Sequence, residues 1–230
     1  MTTVVVTGAN RGIGLEFVRQ YAEDRVNVIA CCRVPDRADL LNTLTRNAGS
    51  KVDVRPLDVA DASAIFALGK ALADEPVDIL INNAGYYGPK EQSADRMDFS
   101  GWAYTFAVNT MAPLAMAQAL HPNLKAGVQK KIVSLTGGMG STGENGGGSL
   151  AYRASKAALN NVMRSLSVDW RGEGIIAVPI DPGWVKTDMG GENAPLTVEE
   201  SVGAMRRVIA KLTLADSGQY LKWNGQERPW

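Results

Sequence analysis

Seven short runs rich in β-branched and apolar residues punctuate the chain: TVVV (3–6), VNVIACC (26–32), VDVRPL (52–57), VDILI (77–81), KIVSLT (131–136), GIIAVPI (174–180) and QYLKW (219–223). Nothing else restricts the fold as much. Most of these runs are apolar at successive positions, so both of their sides must be covered. A parallel sheet held between two helical layers meets that demand. Helical patterns fill the gaps, over Ile13 to Glu23, 36–47, Asp61 to Ala73, Met97 to Leu120, 150–171 and 197–211. The fourth is expected to kink where Pro113 withholds an amide. Strand–helix alternation with right-handed crossovers predicts an α/β fold. The expected form is a doubly wound (Rossmann-type) sheet of seven mostly parallel strands with helices on both faces. No repeat or linker interrupts the pattern. The glycine-rich GGMGSTGENGGG (137–148) falls between a strand and a helix, so residues 1–230 are read as a single domain.

Charge and rare residues narrow the chemistry. Basic and acidic residues balance at 24 each, which leaves no electrostatic footprint for nucleic acid or an anionic membrane. No stretch approaches the roughly 18–20 apolar residues of a membrane span. The apolar run at the N-terminus is too short for a signal peptide. Cys31 and Cys32 are adjacent, give no disulfide framework and suit a reducing, cytoplasmic setting. On a strand they point to opposite faces, which argues against a shared metal. The lone histidine, His121, precedes Pro122 at an expected helix end, where its side chain would serve the last carbonyls. No metal site is expected.

The first strand runs straight into TGANRGIG (7–14). Glycines at 8, 12 and 14 allow a sharp exit from the strand and let the next helix's N-terminal amides approach a pyrophosphate. The backbone from Gly8 through Asn10, Arg11, Gly12 and Ile13 to Gly14 is therefore the candidate phosphate cradle, and the domain is read as dinucleotide-binding. The end of the second strand reads IACCRVPD, without the acid that would hold a ribose 2′-hydroxyl. Arg33 follows that strand and Arg11 lies in the glycine turn. Two cations and no carboxylate suit a 2′-phosphate, hence NADP(H) in preference to NAD(H).

Tyr152 and Lys156 stand one helical turn apart in YRASK. Alone, the pair is compatible with an ordinary helix face. In order along the chain, however, TGANRGIG, LDV (57–59), NNAG (82–85), Asn109, YRASK and PGWVKT (182–187) resemble the short-chain dehydrogenase/reductase family, and the C-terminal part resembles its small C-factor and carbonyl-reductase-like members. The resemblance covers essentially the whole chain. It implies an oxidoreductase that moves a hydride between nicotinamide and a small carbonyl or alcohol. It also implies that Asp58 and Val59 contact the adenine, and that Asn83, Ala84 and Gly85 line the adenosine ribose. Pro182, Gly183, Val185 and Thr187 would bracket the carboxamide. Tyr152 would be the general acid/base, Lys156 would bind the nicotinamide ribose, and Asn109 would hold a helix irregularity and a water leading from Lys156. The chemistry agrees: a free phenol, with a pKa of about 10, needs a neighbouring cation to exchange its proton near neutrality. A homodimer or homotetramer is expected from the resemblance; helices 97–120 and 150–171 carry many small and apolar residues, as the family's dimer interfaces do, but so do buried faces.

One family feature is absent. Where members carry a substrate-orienting serine just past strand five, KIVSLTGGMGS places Gly137. Thr136 and Ser141 are the candidates to replace it. Loss of one such donor typically costs about 10²–10³ in rate, so turnover is expected to be attenuated unless one of them serves. The alternative reading is a nucleotide-binding redox sensor or signalling protein with little or no turnover. Tyr86, Tyr87, Met139, Trp184 and Met189 are expected at a partly apolar pocket rim.

Overall fold

The computed structural model describes residues 2–48, 51–73 and 75–230. The elements follow in strict alternation through most of the chain: β1 (Thr3–Thr7), α1 (Gly12–Glu23), β2 (Asn27–Cys32), α2 (Asp39–Asn47), β3 (Val52–Pro56), α3 (Ala62–Ala71) and β4 (Ile79–Asn82). Then come α4 (Phe99–Phe106), α5 (Ala112–Ala119), α6 (His121–Ala126), β5 (Lys131–Leu135), α7 (Leu150–Asp169), β6 (Ile176–Asp181), α8 (Val198–Lys211) and β7 (Leu221–Lys222). The seven strands form one sheet in the order β3-β2-β1-β4-β5-β6-β7, and every pairing is parallel.

The strand alternation sorts residues between two cores. Val4 and Val6 enter one core with Phe17, Leu41, Met205 and Ile209, beneath α1, α2 and α8. Val5 enters the other with Ile65, Met116, Leu120, Leu159 and Met163, beneath α3, α5 and α7. Cys32 and Cys31 part in the same way, and both are free and buried. Each fully buried aliphatic side chain contributes about 1.5–3 kcal/mol, so the two cores outweigh local helix signals. Those signals still set helix starts. Asp61 caps α3 through the Ser63 and Ala64 amides, and Thr197 with Glu200 makes a reciprocal capping box on α8.

The chain between β3 and β4 crosses from one edge of the sheet to the far side of β1. It opens a crevice at the carboxyl ends of β1 and β4, the usual ligand position in such sheets. The structure departs from the sequence pattern in four places. The helix expected over 97–120 is two α-helices joined by a π-turn, Ala107–Met111, in which Ala112 N–H reaches Ala107 O. Pro113 has no amide to give Asn109, and the wide turn just before it absorbs the mismatch. The helix expected over 36–47 starts with a separate 3-10 turn at Pro35–Arg37. The final strand keeps only Leu221–Lys222, because Lys222 N–H turns back to Gln226 O and Arg228 N–H to Tyr220 O. His121 does not finish a helix but opens α6. Its ring stacks on Trp170 and its Nε2 lies 3.0 Å from Glu173 Oε2, so its partners come from α7's far end rather than from local carbonyls.

Candidate active site

The glycine turn sits at the carboxyl end of β1. Arg11 precedes α1 with an extended backbone, and no side chain caps the helix. Its first amides are thus free of side-chain partners and point out of the turn, as anion binding requires. All three glycines are demanded by geometry, Gly8 by its φ of +66°. Gly12 has φ +53°, a conformation that favours glycine. A Cβ on Gly14 would collide with Gly8 O and with Asn83 Nδ2. Asn83 closes this corner: its Nδ2 donates to Thr7 O at 2.8 Å and to Gly8 O at 3.1 Å, while its own amide and that of Ala84 donate to Thr7 Oγ1. Asn10 and Ile13 are half-buried in the same turn. These residues fit a dinucleotide pyrophosphate.

Arg33 follows β2, is exposed, and has no ion pair or hydrogen bond among the described residues. Arg11 is instead paired with Asp188 across the crevice, and both side chains are largely exposed. Asp58 Oδ1 accepts from Ala60 N–H at 2.9 Å, and Val59 packs against the second core. On the far wall, Gly183 turns with φ +82° and donates its amide to Asp181 Oδ1 at 3.0 Å. Pro182 O accepts from Ser201 Oγ, Val185 bridges to Leu196, and Thr187 faces Gly12 across the cleft.

Tyr152 and Lys156 lie in the first turns of α7, with their side chains 9% and 4% exposed. Lys156 Nζ stands 5.8 Å from the Tyr152 ring centroid and donates to Leu135 O at 2.7 Å. Burial pulls the Lys156 ammonium down to about 8. Burial also pushes the Tyr152 phenol up, helped by the Asp181 carboxylate and by Tyr87 and Tyr220. By itself the chain keeps Tyr152 protonated and its lysine only weakly held as a cation. Asn109 sits inside the π-turn. Its side chain grips Tyr86 at both backbone atoms, at 2.8 and 2.7 Å, and donates to Ser155 Oγ at 2.9 Å. A Cβ on Gly85 would stand in ordinary contact with both Asn109 Oδ1 and Lys156 Nζ, so these two side chains border one small space.

Gly137 follows β5 with φ 172° and ψ 155°, extended backbone open to any residue. A Cβ there would meet one group, the Tyr152 hydroxyl, at 3.6 Å. Neither substitute reaches that spot. Ser141 Oγ donates to Trp230 O at 3.1 Å and accepts from Glu144 N–H at 3.0 Å. Thr136 is buried, its amide donates to Ile180 O, and its Oγ1 makes no hydrogen bond to Tyr152 or to any other described residue. Of the residues expected at the pocket rim, Tyr86, Tyr87, Trp184 and Met189 are exposed and Met139 is half-buried. Tyr87 packs on Tyr152 with ring centroids 4.9 Å apart.

Several supporting groups escaped the sequence reading. Gln92 Oε1 accepts the Tyr152 amide at 3.1 Å, and its Nε2 donates to Tyr87 O at 3.1 Å. Asp181 is buried at the end of β6, held by Arg228. An acid closing an otherwise apolar strand was the available signal for Asp181. Gln92 and Arg228 lie in irregular segments and have none.

A sequence profile for the short chain dehydrogenase family matches residues 2–196. The C-signal protein of Myxococcus xanthus is 45% identical over 156 residues, covering 67% of this chain and 93% of its own. The 1-hydroxy-2-glutathionyl-2-methyl-3-butene dehydrogenase of a Rhodococcus strain is 32% identical over the full length of both. Among solved structures, the NADPH-bound carbonyl reductase from chicken fatty liver superposes with a TM-score of 0.92 at 37% identity, covering 100% of this chain and 99% of that one. The carbonyl reductase Sniffer of D. melanogaster gives the same TM-score at 32% identity, with both chains fully covered.

Proposed function

Because the chain belongs to the short chain dehydrogenase family of oxidoreductases, we propose that it is an NADP(H)-dependent enzyme interconverting carbonyl and alcohol groups on small molecules. The observation that carries this reading is the buried Tyr152–Lys156 pair bordering the crevice into which the uncapped α1 N-terminus points. The backbone from Gly8 to Gly14 would hold the pyrophosphate. Asp58 and Val59 would line the adenine, Asn83 to Gly85 the ribose, and Pro182, Gly183, Val185 and Thr187 the carboxamide. When bound, NADPH supplies the hydride. Tyr152 gives its phenolic proton to the carbonyl oxygen as negative charge develops there, and Lys156 stabilises the phenolate left behind. Asn109 keeps the π-turn and the Tyr86 backbone in place beside Lys156. Tyr87, Trp184 and Met189 shield the reacting atoms and favour bulky apolar carbonyls. Single-turnover oxidation of bound NADPH by a panel of ketones and quinones tests the proposal. Decay of the reduced-nicotinamide signal with at least one class is expected, and its absence with all of them would overturn it.

NADP(H) preference is supported by Arg33, which has no partner among the described residues, and by the NADPH in the chicken structure. Opening the exposed Arg11–Asp188 pair costs little, since such pairs contribute about 0–1 kcal/mol. Arg33→Asp is expected to weaken NADPH about 10–100-fold, the worth of one charge-assisted contact, and to improve NADH. The wild-type preference should shrink as salt rises. Isothermal titration with both cofactors measures this, and equal wild-type affinities would refute it.

We also read the chain as a homodimer or homotetramer in a reducing, cytoplasmic setting. Exposed Phe99, Met111 and Val168 on α4, the π-turn and α7 support the first, and two unpaired buried cysteines support the second. Among the described residues no helix is long and apolar enough to cross a membrane. A second functional reading, a nucleotide-binding sensor or signalling protein with little turnover, is favoured by one observation: Gly137 has no side-chain hydroxyl to offer beside Tyr152, and the Tyr220 hydroxyl that reaches it is spent on the Gly137 carbonyl at 2.6 Å. The name of the Myxococcus relative agrees with it.

A further inference from the structure

Residues 220–230 return across the carboxyl end of β6 to the glycine-rich loop that carries Gly137. Arg228 is the centre of this return. Its Nη1 meets Asp181 Oδ2 at 2.8 Å and its Nη2 meets Glu144 Oε2 at 2.9 Å. Its guanidinium lies against Gly138, where a Cβ would collide with it. Asp181 spends its other oxygen on the Gly183 amide, so one guanidinium joins the turn after β6 to the loop after β5. Gly143 N–H and Ser141 Oγ both reach Trp230 O, which seats the rest of that loop.

We propose that Arg228 is a positioning residue for proton transfer: it neutralises Asp181, the buried carboxylate beside Tyr152, and holds both walls of the site against each other. The inference rests on the reading of Tyr152 as the proton donor. Four groups face Tyr152. Lys156 stands over its ring and Tyr87 packs on it; Tyr220 donates its hydroxyl at 2.6 Å to the carbonyl of Gly137, the residue whose Cβ position lies 3.6 Å from the Tyr152 hydroxyl; and Asp181 follows Ile180, whose carbonyl holds the Thr136 amide next to that same glycine. The only formal negative charge among these four is Asp181, and it opposes the phenolate. Arg228 is the cation on its carboxylate. Without Arg228, the full charge of Asp181 would act on Tyr152 in a low-dielectric site, and the phenol would give up its proton less readily.

The test is the pH profile of kcat/KM for NADPH-dependent reduction of phenanthrenequinone. A parallel ultraviolet phenolate titration of the NADP⁺-saturated protein, taken as wild type minus Tyr152→Phe, needs no turnover. Arg228→Met is expected to move the alkaline limb of reduction upward by about one pH unit, the effect of one uncompensated neighbouring charge. Adding Asp181→Asn to it should return the limb to near the wild-type position. Asp181→Asn alone should move it down, and Arg228→Lys should leave it nearly in place. A purely structural clasp predicts something different: lower kcat at every pH, an unmoved limb, and no rescue by Asp181→Asn. Either an unmoved limb in Arg228→Met or failure of that rescue overturns the proposal. If Arg228→Met does not fold, Arg228→Gln and the Asp181→Asn single variant decide it by the same signs. A Tyr152→Phe protein with wild-type turnover would instead strike at the identity of the proton donor. Loss of turnover in Tyr152→Phe with an unmoved limb in Arg228→Met would strike at Arg228 alone.

Discussion

Tyr152→Phe should lower kcat for carbonyl reduction by about 10²–10⁴-fold, the usual worth of a positioned general acid, while NADPH affinity stays nearly unchanged. The ring is packed on Tyr87 and buried, so loss of the hydroxyl leaves the fold's contacts intact. Its hydroxyl makes no hydrogen bond to the glycine turn, so the cofactor should not sense the change. Lys156→Ala should behave differently. It removes the cation that stabilises the phenolate and a group expected on the ribose, so kcat should fall and NADPH should bind more weakly. It also strips Leu135 O of its 2.7 Å donor, which a thermal melt will register as a modest loss. Steady-state kinetics and cofactor titration on the two variants separate these effects. Normal kcat in Tyr152→Phe would sink the mechanism.

Gly137→Ser is expected to raise kcat, by as much as about 10²-fold, with a smaller change in KM. A hydrogen bond to a developing alkoxide strengthens in the transition state, which is why kcat should carry the gain. The backbone at Gly137 is extended and a Cβ meets only the Tyr152 hydroxyl at 3.6 Å, so the serine adds no strain and stands where the substrate oxygen must come. Because Ser141 is occupied by Trp230 and Glu144, and Thr136 Oγ1 is buried without a hydrogen bond to Tyr152, Thr136→Val and Ser141→Ala should not cost activity at this step. If wild type is a sensor with scarcely any turnover, the serine should create a measurable rate where there was little. Unchanged kinetics in a normally stable Gly137→Ser protein, with Thr136→Val and Ser141→Ala also unchanged, would mean that the site needs no such donor.

The sheet was legible because its determinants are local. TVVV, VNVIACC and KIVSLT can satisfy two apolar faces only as buried strands, and the structure extends or trims each by a residue or so. The glycine turn was legible for a similar reason, since positive φ and close approach leave their mark in residue type. What stayed hidden depends on partners far away in the chain. QYLKW shortens because Arg228 and Gln226 return to it. His121 looks like a helix cap until Glu173 and Trp170 arrive from beyond α7. Arg228 and Asp181 are 47 positions apart, in segments whose composition announces nothing about each other. The length of 97–120 was visible, but the wide turn inside it was not, because a π-turn changes winding without changing periodicity enough to read.

That π-turn makes the helix a matter of rotational phase. Each residue of an α-helix advances about 100° and about 1.5 Å, so one extra residue wound into Ala107–Met111 offsets everything before it from everything after it. Deleting any one residue there would let ordinary winding resume and would swing α4 by roughly that angle relative to α5, which is anchored in the core by Met116. Asn109 would then face away from Tyr86, and the floor beneath Lys156 would open, although no residue of the Tyr152–Lys156 pair had been touched. Apart from Asn109, whose side chain holds Tyr86 and Ser155, substitutions across 107–111 should therefore be borne far better than changes in its length. The segment works as a spacer whose residue count, more than its composition, keeps the two halves of the site in step.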